Sequence, residues 1–330
     1  MTDNDRVTPI CVLGLGLIGG SVLRAATAAG RRCWAATASP VDAEAATSEG
    51  VDVRSPESAL RRAADEDALV VVAVPLTSVP EVLRLVDQHA GRCLLTDVVS
   101  VKEPVLRAVE THAPGARYVG GHPMAGTASS GWHAGDARLF AGAAWVVTTD
   151  EADPAVWAEV AGLALDCGAE VVPAPAREHD AAVARVSHLP HLLAEVLSAV
   201  AEDGGPLAAA LAAGSFADGT RVAGTRPALV RAMCEGNRDA LLTALDDALG
   251  RLGVARGALA TTGSLRAAVE DGHRAHLRRQ RAGETPTAAF ELPLDGPGAL
   301  DALAELGRCG GRVTGLAGGV VSGRRPAPAD

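Results

Sequence analysis

The sequence predicts an α/β protein: a doubly wound, parallel-sheet domain over residues 8–175, an all-helical domain over 176–283 and a short mixed segment over 284–330. Short, continuously apolar runs alternate with helix-like stretches through the first half, as parallel strands buried on both faces do. A glycine-rich turn, Gly14-Leu-Gly16-Leu-Ile-Gly19-Gly20, joins the first such run to the first helix. Beyond Pro173 and Pro175 the strand-like runs stop and helical periodicity takes over.

Composition fits this reading. The chain has 330 residues, 48% apolar and 21% charged, enough for two ordinary globular domains. Aromatics are only 2%, so the core must be built from Ala, Val and Leu, a bias that favours helices. A net charge of −10 without a basic stripe argues against a nucleic-acid partner. An acidic chain must hold anionic ligands through local Arg or backbone N–H groups. The opening residues lack the basic and apolar regions of a secretion signal. The apolar stretch at 10–20 is too short and glycine-rich to span a bilayer, so no membrane partner is expected. Six scattered cysteines without a C-x-x-C read as small buried hydrophobes in a reducing cytoplasm.

Taken in order, 10–15 is a strand, 17–29 a helix ended by Gly30, and 32–37 a second strand. The continuous apolar run 69–74 is a strand buried on both faces, followed by a helix at 80–89, a strand at 93–97 and a helix at 101–111. Strands at 118–121 and 143–148 complete the set, with 156–167 and 170–173 as a last helix and strand of the same layer. Helices follow at 177–189, 190–203, 206–216, 227–236, 238–256 and 264–281. Their broad Ala/Leu/Val faces suit a dimer interface or an intramolecular bundle. The last segment reads as a strand at 289–292, a helix at 297–307, a strand at 312–321 and a disordered tail from Arg324. It is too small to fold alone.

The glycine turn carries the first chemistry. Gly14 allows the tight turn, Gly16 lets the backbone approach a pyrophosphate, and Gly19 lets the helix pack against the sheet. The N–H groups that open the helix, at Leu17 and Ile18, face the diphosphate. Its place after a near-N-terminal strand and before a long apolar helix supports a dinucleotide site. The second strand ends in Thr37-Ala-Ser39, with the acids Asp42 and Glu44 only later. Thr37 and Ser39 suit a ribose hydroxyl or a 2′-phosphate, no Arg follows, and NAD versus NADP stays open. Val74-Pro75 ends the third strand, where it lines the adenosine side or simply terminates the strand.

Two groups face the crevice at the carboxyl ends of strands: Asp97-Val-Val-Ser100-Val-Lys102 and Gly120-Gly-His122-Pro-Met-Ala-Gly-Thr127. His122 sits between Gly and Pro on a short turn, away from any apolar helix face. An imidazole there suits abstraction of a hydroxyl proton as hydride leaves. In the helical domain, His188 and His191 are spaced for a metal pair but lack a third ligand, so no metal is expected. Ser187 reads as a helix cap. Arg221 suits a two-pronged carboxylate clamp or a surface pair with Asp218.

Together these pieces resemble the prephenate/arogenate dehydrogenase family of tyrosine biosynthesis. The matching stretches are 14–21, 97–102, 121–127 with Ser130-Gly-Trp132, 187–191 and 220–223 followed by Pro227, spread over about residues 8–250. The resemblance implies an N-terminal Rossmann domain, a helical domain that makes a homodimer, and NAD or NADP as cofactor. It implies oxidative decarboxylation of prephenate to 4-hydroxyphenylpyruvate, or of arogenate to tyrosine, with aromatisation as the driving force and no metal. By position it makes His122 the catalytic base, Ser100 its neighbour near the substrate hydroxyl, Arg221 the carboxylate-holding residue and His188 a second active-site histidine, with Thr127 among the substrate contacts. Asp97 joins the cofactor contacts. Ala217, Val230, Ala128 and Ser129 depart from common family residues. The segment 290–321, with Asp295-Gly-Pro-Gly, is similar to the opening of a truncated ACT regulatory domain. Rival readings are a 4-amino-4-deoxyprephenate dehydrogenase of antibiotic synthesis and a regulatory protein that binds NAD(P) without turnover.

Overall fold

A computed structural model describes residues 7–127, 129–150 and 153–327. The chain forms two units, one comprising residues up to Asp180 together with Ala289–Arg325, the other Ala181–Ala288.

The first unit opens as its apolar pattern predicts. Strands β1 (Ile10–Leu13), β2 (Cys33–Ala36), β3 (Leu69–Val72), β4 (Leu94–Asp97) and β5 (Arg117–Tyr118) form a sheet in the order β2-β1-β3-β4-β5. All its ladders are parallel. Helices α1 (Leu17–Ala28), α2 (Pro40–Ser48), α3 (Pro56–Asp65), α4 (Val79–Ala90) and α5 (Glu103–His112) make the crossovers. Ile10, Val12, Leu69 and Val71 enter one core, while Cys11, Leu13, Val70 and Val72 enter the other. Burial on both faces is why these strands carry no polar alternation. Helix α2 left little periodic signal, since it buries only Ala46, whereas α3 buries Ala59, Leu60 and Ala63 on one face. Each is started by a Ser–Pro pair, with Ser39 and Ser55 accepting from the N–H groups of Asp42 and Ser58.

The later strands do not extend this sheet, contrary to the sequence expectation. The run expected at 118–121 splits: β5 stays in the first sheet, and β6 (Gly121–Pro123) opens a second. That sheet runs β6-β7-β8-β10-β11-β9, with β7 (Ala144–Thr148), β8 (Glu170–Ala174), β9 (Thr287–Pro293), β10 (Arg312–Ala317) and β11 (Val320–Pro326). Strands β6 and β7 are antiparallel, whereas β7 and β8 are parallel and joined by α6 (Pro154–Asp166). The split occurs where glycines allow backbones to approach closely. A Cβ on Gly121 would lie 2.6 Å from the Asp97 carbonyl oxygen and 3.0 Å from Trp145 Nε1.

The C-terminal segment completes the second sheet. Leu294, Leu303, Leu306, Val313 and Val321 join the core that already holds Ile10 and Val12. Helix α14 (Ala299–Arg308) lies on β8 so tightly that a side chain at Gly307 would collide with the Pro173 carbonyl. The single strand expected at 312–321 is a hairpin, turned by Gly318 and Gly319 at φ 56° and 76°. Arg324 to Pro326, expected in a disordered tail, belong to β11, and Arg324 bonds Glu170 at 2.6 Å. Residues 328–330 lie outside the described residues, as do Ala128 and residues 1–6 of the opening.

The boundary between the units falls inside α7 (Ala176–Val183), a few residues later than the prolines suggest. The helical unit continues through a π-turn at Ala184–His188 into α8 (Leu189–Glu202), then α9 (Gly205–Leu211) and α10 (Gly214–Thr220). A 3₁₀ turn at Arg221–Gly224 leads to α11 (Pro227–Gly236), α12 (Arg238–Thr262) and α13 (Arg266–Glu284). Ser187 caps nothing: it lies inside the π-turn, and its carbonyl receives His191 Nδ1 at 2.9 Å. Leu193, Val196, Leu197 and Val200 form an exposed stripe on α8, and Leu242, Leu249, Leu252 and Leu259 are exposed along α12. No helix among the described residues is long and apolar enough to cross a membrane.

Candidate active site

The carboxyl ends of the parallel strands bring the first group of predicted residues to one edge. Ala36, Leu13, Val72 and Asp97 occupy matching register positions across β2, β1, β3 and β4. Gly14, Thr37, Val74 and the turn bearing Ser100 all leave from that edge. The chain reverses direction there, moving from β1 out to β2 and back to β3, which is where open α/β sheets bind ligands.

The glycine turn fits a dinucleotide diphosphate. Gly14 takes φ 108°, and a Cβ on it would collide with the Ala73 carbonyl. A Cβ on Gly19 would collide with the Gly14 carbonyl and stand 2.8 Å from Ala73 Cβ. These two glycines serve the protein's own packing. Gly16 differs, because a Cβ there would meet nothing within 4 Å. That open space borders the start of α1, where no side chain caps the N–H groups of the first turn. Leu17 and Ile18 contribute those donors, and the helix dipole favours an anion.

The ribose-side expectations fare unevenly. Ser39 spends its hydroxyl capping α2, and Thr37 Oγ1 accepts the Ser39 N–H at 3.3 Å. Asp42 is occupied too, accepting the backbone N–H of Trp132 at 2.8 Å. Trp132 is fully buried, donates to Glu49 through Nε1 at 2.8 Å and carries the Arg24 guanidinium 3.5 Å above its ring. This clamp fastens the loop between β6 and β7 onto α1 and α2. Pro75 is exposed and Val74 half-buried at the end of β3.

Asp97 turns its side chain into the protein. Expected to contact the cofactor, its side chain is 1% exposed and engaged within the protein. Oδ1 takes the Lys102 ammonium and the Val99 N–H, and Oδ2 takes the Tyr118 hydroxyl at 2.6 Å. Lys102 and Tyr118 are the chain's only lysine and only tyrosine. Burial pushes the Lys102 pKa down while Asp97 pulls it back up. Burial and the neighbouring carboxylate hold the Tyr118 phenol neutral, well above its usual range. Lys102 also donates to the Gly121 carbonyl at 2.6 Å, pinning β6 to the end of β4.

That bond positions His122. The residue lies in β6 opposite Val146, its ring half-buried. Its Nδ1 meets His179 Nε2 at 2.8 Å, with the rings edge to face and their centroids 5.0 Å apart. His179 Nδ1 in turn meets Asp180 Oδ1 at 2.7 Å. Asp180 also accepts the backbone N–H groups of Lys102 and Glu103, at 2.8 and 2.9 Å. Burial lowers the His179 pKa. Burial alone would raise the Asp180 pKa, but the bonds from His179 and the two N–H groups bring it below the usual carboxylate range. Ser100 is half-buried in the turn after β4. Thr127 is exposed and accepts the Ser129 N–H at 3.2 Å, closing a local turn.

His188 and Arg221 belong to the helical unit. His188 ends the π-turn, 1% exposed, with Nδ1 3.2 Å from Asn237 Nδ2. Arg221 is exposed at the start of its 3₁₀ turn, and no ion pair joins it to Asp218 among the described residues. Sequence reasoning overlooked His179, Asp180, Tyr118 and Asn237. One signal was available: a lone lysine placed two residues after Ser100, beside a strand-ending Asp, is hard to read as ordinary surface charge.

A phosphate-binding turn at the switch point of a parallel sheet, with an imidazole held beside the same edge, defines a dinucleotide-dependent dehydrogenase. Comparison with known proteins narrows the class. Residues 25–173 match the family model of the prephenate dehydrogenase nucleotide-binding domain, and residues 175–262 match that of the prephenate dehydrogenase dimerization domain. The prephenate dehydrogenase of Bacillus subtilis is 32% identical over 256 residues, 74% of this chain and 68% of that protein. A Corynebacterium glutamicum structure provisionally assigned as a prephenate dehydrogenase is 45% identical, with a TM-score of 0.87, covering 93% of this chain and 99% of that one. The Synechocystis arogenate dehydrogenase structure is 27% identical, with a TM-score of 0.70, covering 82% of this chain and 100% of that one. The chain belongs to the prephenate dehydrogenase family and is an NAD(P)-dependent oxidoreductase.

Proposed function

We propose that the chain oxidises and decarboxylates prephenate, or its transaminated counterpart arogenate, with His122 as the general base. The observation that carries this reading is the placement of His122 beside the dinucleotide edge, its Nδ1 held at 2.8 Å by a second imidazole. The turn at Gly14 to Gly19 holds the diphosphate through the N–H groups of Leu17 and Ile18. When bound, the nicotinamide supplies the acceptor for hydride from the ring carbinol carbon. His122 Nε2 takes the hydroxyl proton, and Ser100 hydrogen-bonds near that hydroxyl. As the ring carboxylate leaves as CO2, its electron pair completes the aromatic ring and leaves a phenolate, which takes the proton back from His122 to give 4-hydroxyphenylpyruvate or tyrosine. For Arg221, in the helical unit, the proposed role is to hold a substrate carboxylate through paired N–H···O bonds; His188 and Thr127 are proposed as further substrate contacts.

The exposed apolar stripes on α8 and α12 support a homodimer through the helical unit, since patches of this kind mark interaction surfaces. A reducing, cytoplasmic setting suits six free cysteines, of which Cys11, Cys93 and Cys167 have thiols pushed up to about 12, by burial first.

The deciding experiment is an initial-rate matrix of prephenate, arogenate and 4-amino-4-deoxyprephenate against NAD and NADP. Turnover of one of the first two is expected. The His122→Asn variant should lose about 1000-fold in kcat while binding cofactor normally. Unchanged kcat in that variant removes His122 as the base. Cofactor binding without turnover of any substrate makes the chain a nucleotide-binding protein instead.

A further inference from the structure

We propose that His179 is a positioning residue that sets the tautomer of His122, with Asp180 fixing His179 in turn. The inference rests on the reading of His122 as base and adds two residues to it.

An ionised carboxylate only accepts hydrogen bonds. Asp180 is held ionised by three donors: the N–H groups of Lys102 and Glu103 and the ring of His179. At 2.7 Å from Asp180 Oδ1, His179 Nδ1 must therefore carry a proton. A neutral His179 then offers its Nε2 lone pair, and the 2.8 Å approach of His122 Nδ1 requires that nitrogen to be the donor. His122 is left with a proton on Nδ1 and a lone pair on Nε2, the form that a general base needs. The opposite tautomer would set two lone pairs against each other at 2.8 Å. A neutral His179 also fits its surroundings, since it is 3% exposed and the Lys102 cation opposes a second positive charge.

Charged and titratable groups face this pair from several elements. Among the described residues they include Lys102 before α5, Asp97 at the end of β4, Tyr118 on β5, Asp150 after β7, Asp180 on α7 and His122 on β6. Asp180 does two jobs. Its bonds to Lys102 and Glu103 cap the start of α5 from α7, so the group that selects the tautomer also anchors the turn bearing Ser100. Removing Asp180 would therefore disturb the turn as well, and His179 is the cleaner test.

Two substitutions and one spectrum decide the matter, using the full-length chain. In His179→Leu the acceptor that His179 Nε2 offers to His122 Nδ1 is lost, so kcat should fall about 100-fold while KM and cofactor Kd stay within about threefold. In His179→Gln the amide oxygen can accept that bond, so most of the lost kcat should return. ¹⁵N-histidine spectra of the unsubstituted protein, with His122 assigned by comparison with His122→Asn, should show the Nδ1–H tautomer near neutral pH. Unchanged kcat in His179→Leu overturns the proposal, and so does an Nε2–H tautomer at His122, whatever the variants' stability. If His122→Asn itself keeps full kcat, the reading of the base has failed. If only that variant loses kcat and His179→Leu does not, the positioning role alone has failed.

Discussion

Two regions on the same sheet edge achieve their geometry in opposite ways. The glycine turn is built from missing side chains: Gly14 and Gly19 lack a Cβ because a carbonyl occupies its place, and Gly16 lacks one beside open space. The cluster beneath His122 is built from side chains that arrive from four places, with Asp97 on β4, Lys102 before α5, Tyr118 on β5 and His179–Asp180 on α7. The first is a local backbone device whose chemistry comes from unpaired N–H groups. The second is a buried polar network, which stabilises only when every member is satisfied and costs dearly when one is removed. A dinucleotide site can thus be recognised from seven consecutive residues, while the supports of the base are separated by dozens.

The sharpest way to break this contrast is Lys102→Ala. It strands a buried carboxylate and releases the Gly121 carbonyl, so stability should fall by about 3–5 kcal/mol, read by denaturant or thermal unfolding. Replacing both partners, as Lys102→Met with Asp97→Leu, should recover part of that loss. A single-variant loss below about 1 kcal/mol would make the cluster no more than surface-like.

Gly16→Val tests the other side. Nothing in the protein opposes the new side chain, so unfolding should be unchanged within about 0.5 kcal/mol. It fills the space at the start of α1, and the Kd for NAD(P) should rise by about 30-fold or more, measured by fluorescence titration. Equal losses of stability and affinity would show that Gly16, like Gly14, serves packing.

The smallest effect concerns acid. His179 has a folded pKa below its ordinary value because it is buried. As pH falls through about 6.5, the unfolded chain takes up a proton that the folded chain resists. The unfolded state binds more protons, so stability drops with falling pH until the folded pKa is reached. Between pH 7 and 5 the Tm should fall, and His179→Gln should remove about 2–4 °C of that slope. An identical slope in the variant would show that other groups carry it.

The sequence alone determined whatever depends on near neighbours. Continuous apolar runs named the parallel strands, because burial on both faces leaves no room for polar alternation. Three glycines named the phosphate turn, and a histidine between Gly and Pro stood out as a candidate base. Only the tertiary structure decided how the pieces meet. It moved residues 121–123, 144–148 and 170–174 into a second sheet, since strand order depends on which backbones can approach and not on apolar content. It gave the C-terminal segment to that sheet through Leu303, Val313 and Val321, whose partners lie more than a hundred residues away. It also turned Asp97 inward, onto a lysine and a tyrosine, because a buried carboxylate must find its donors wherever the fold brings them.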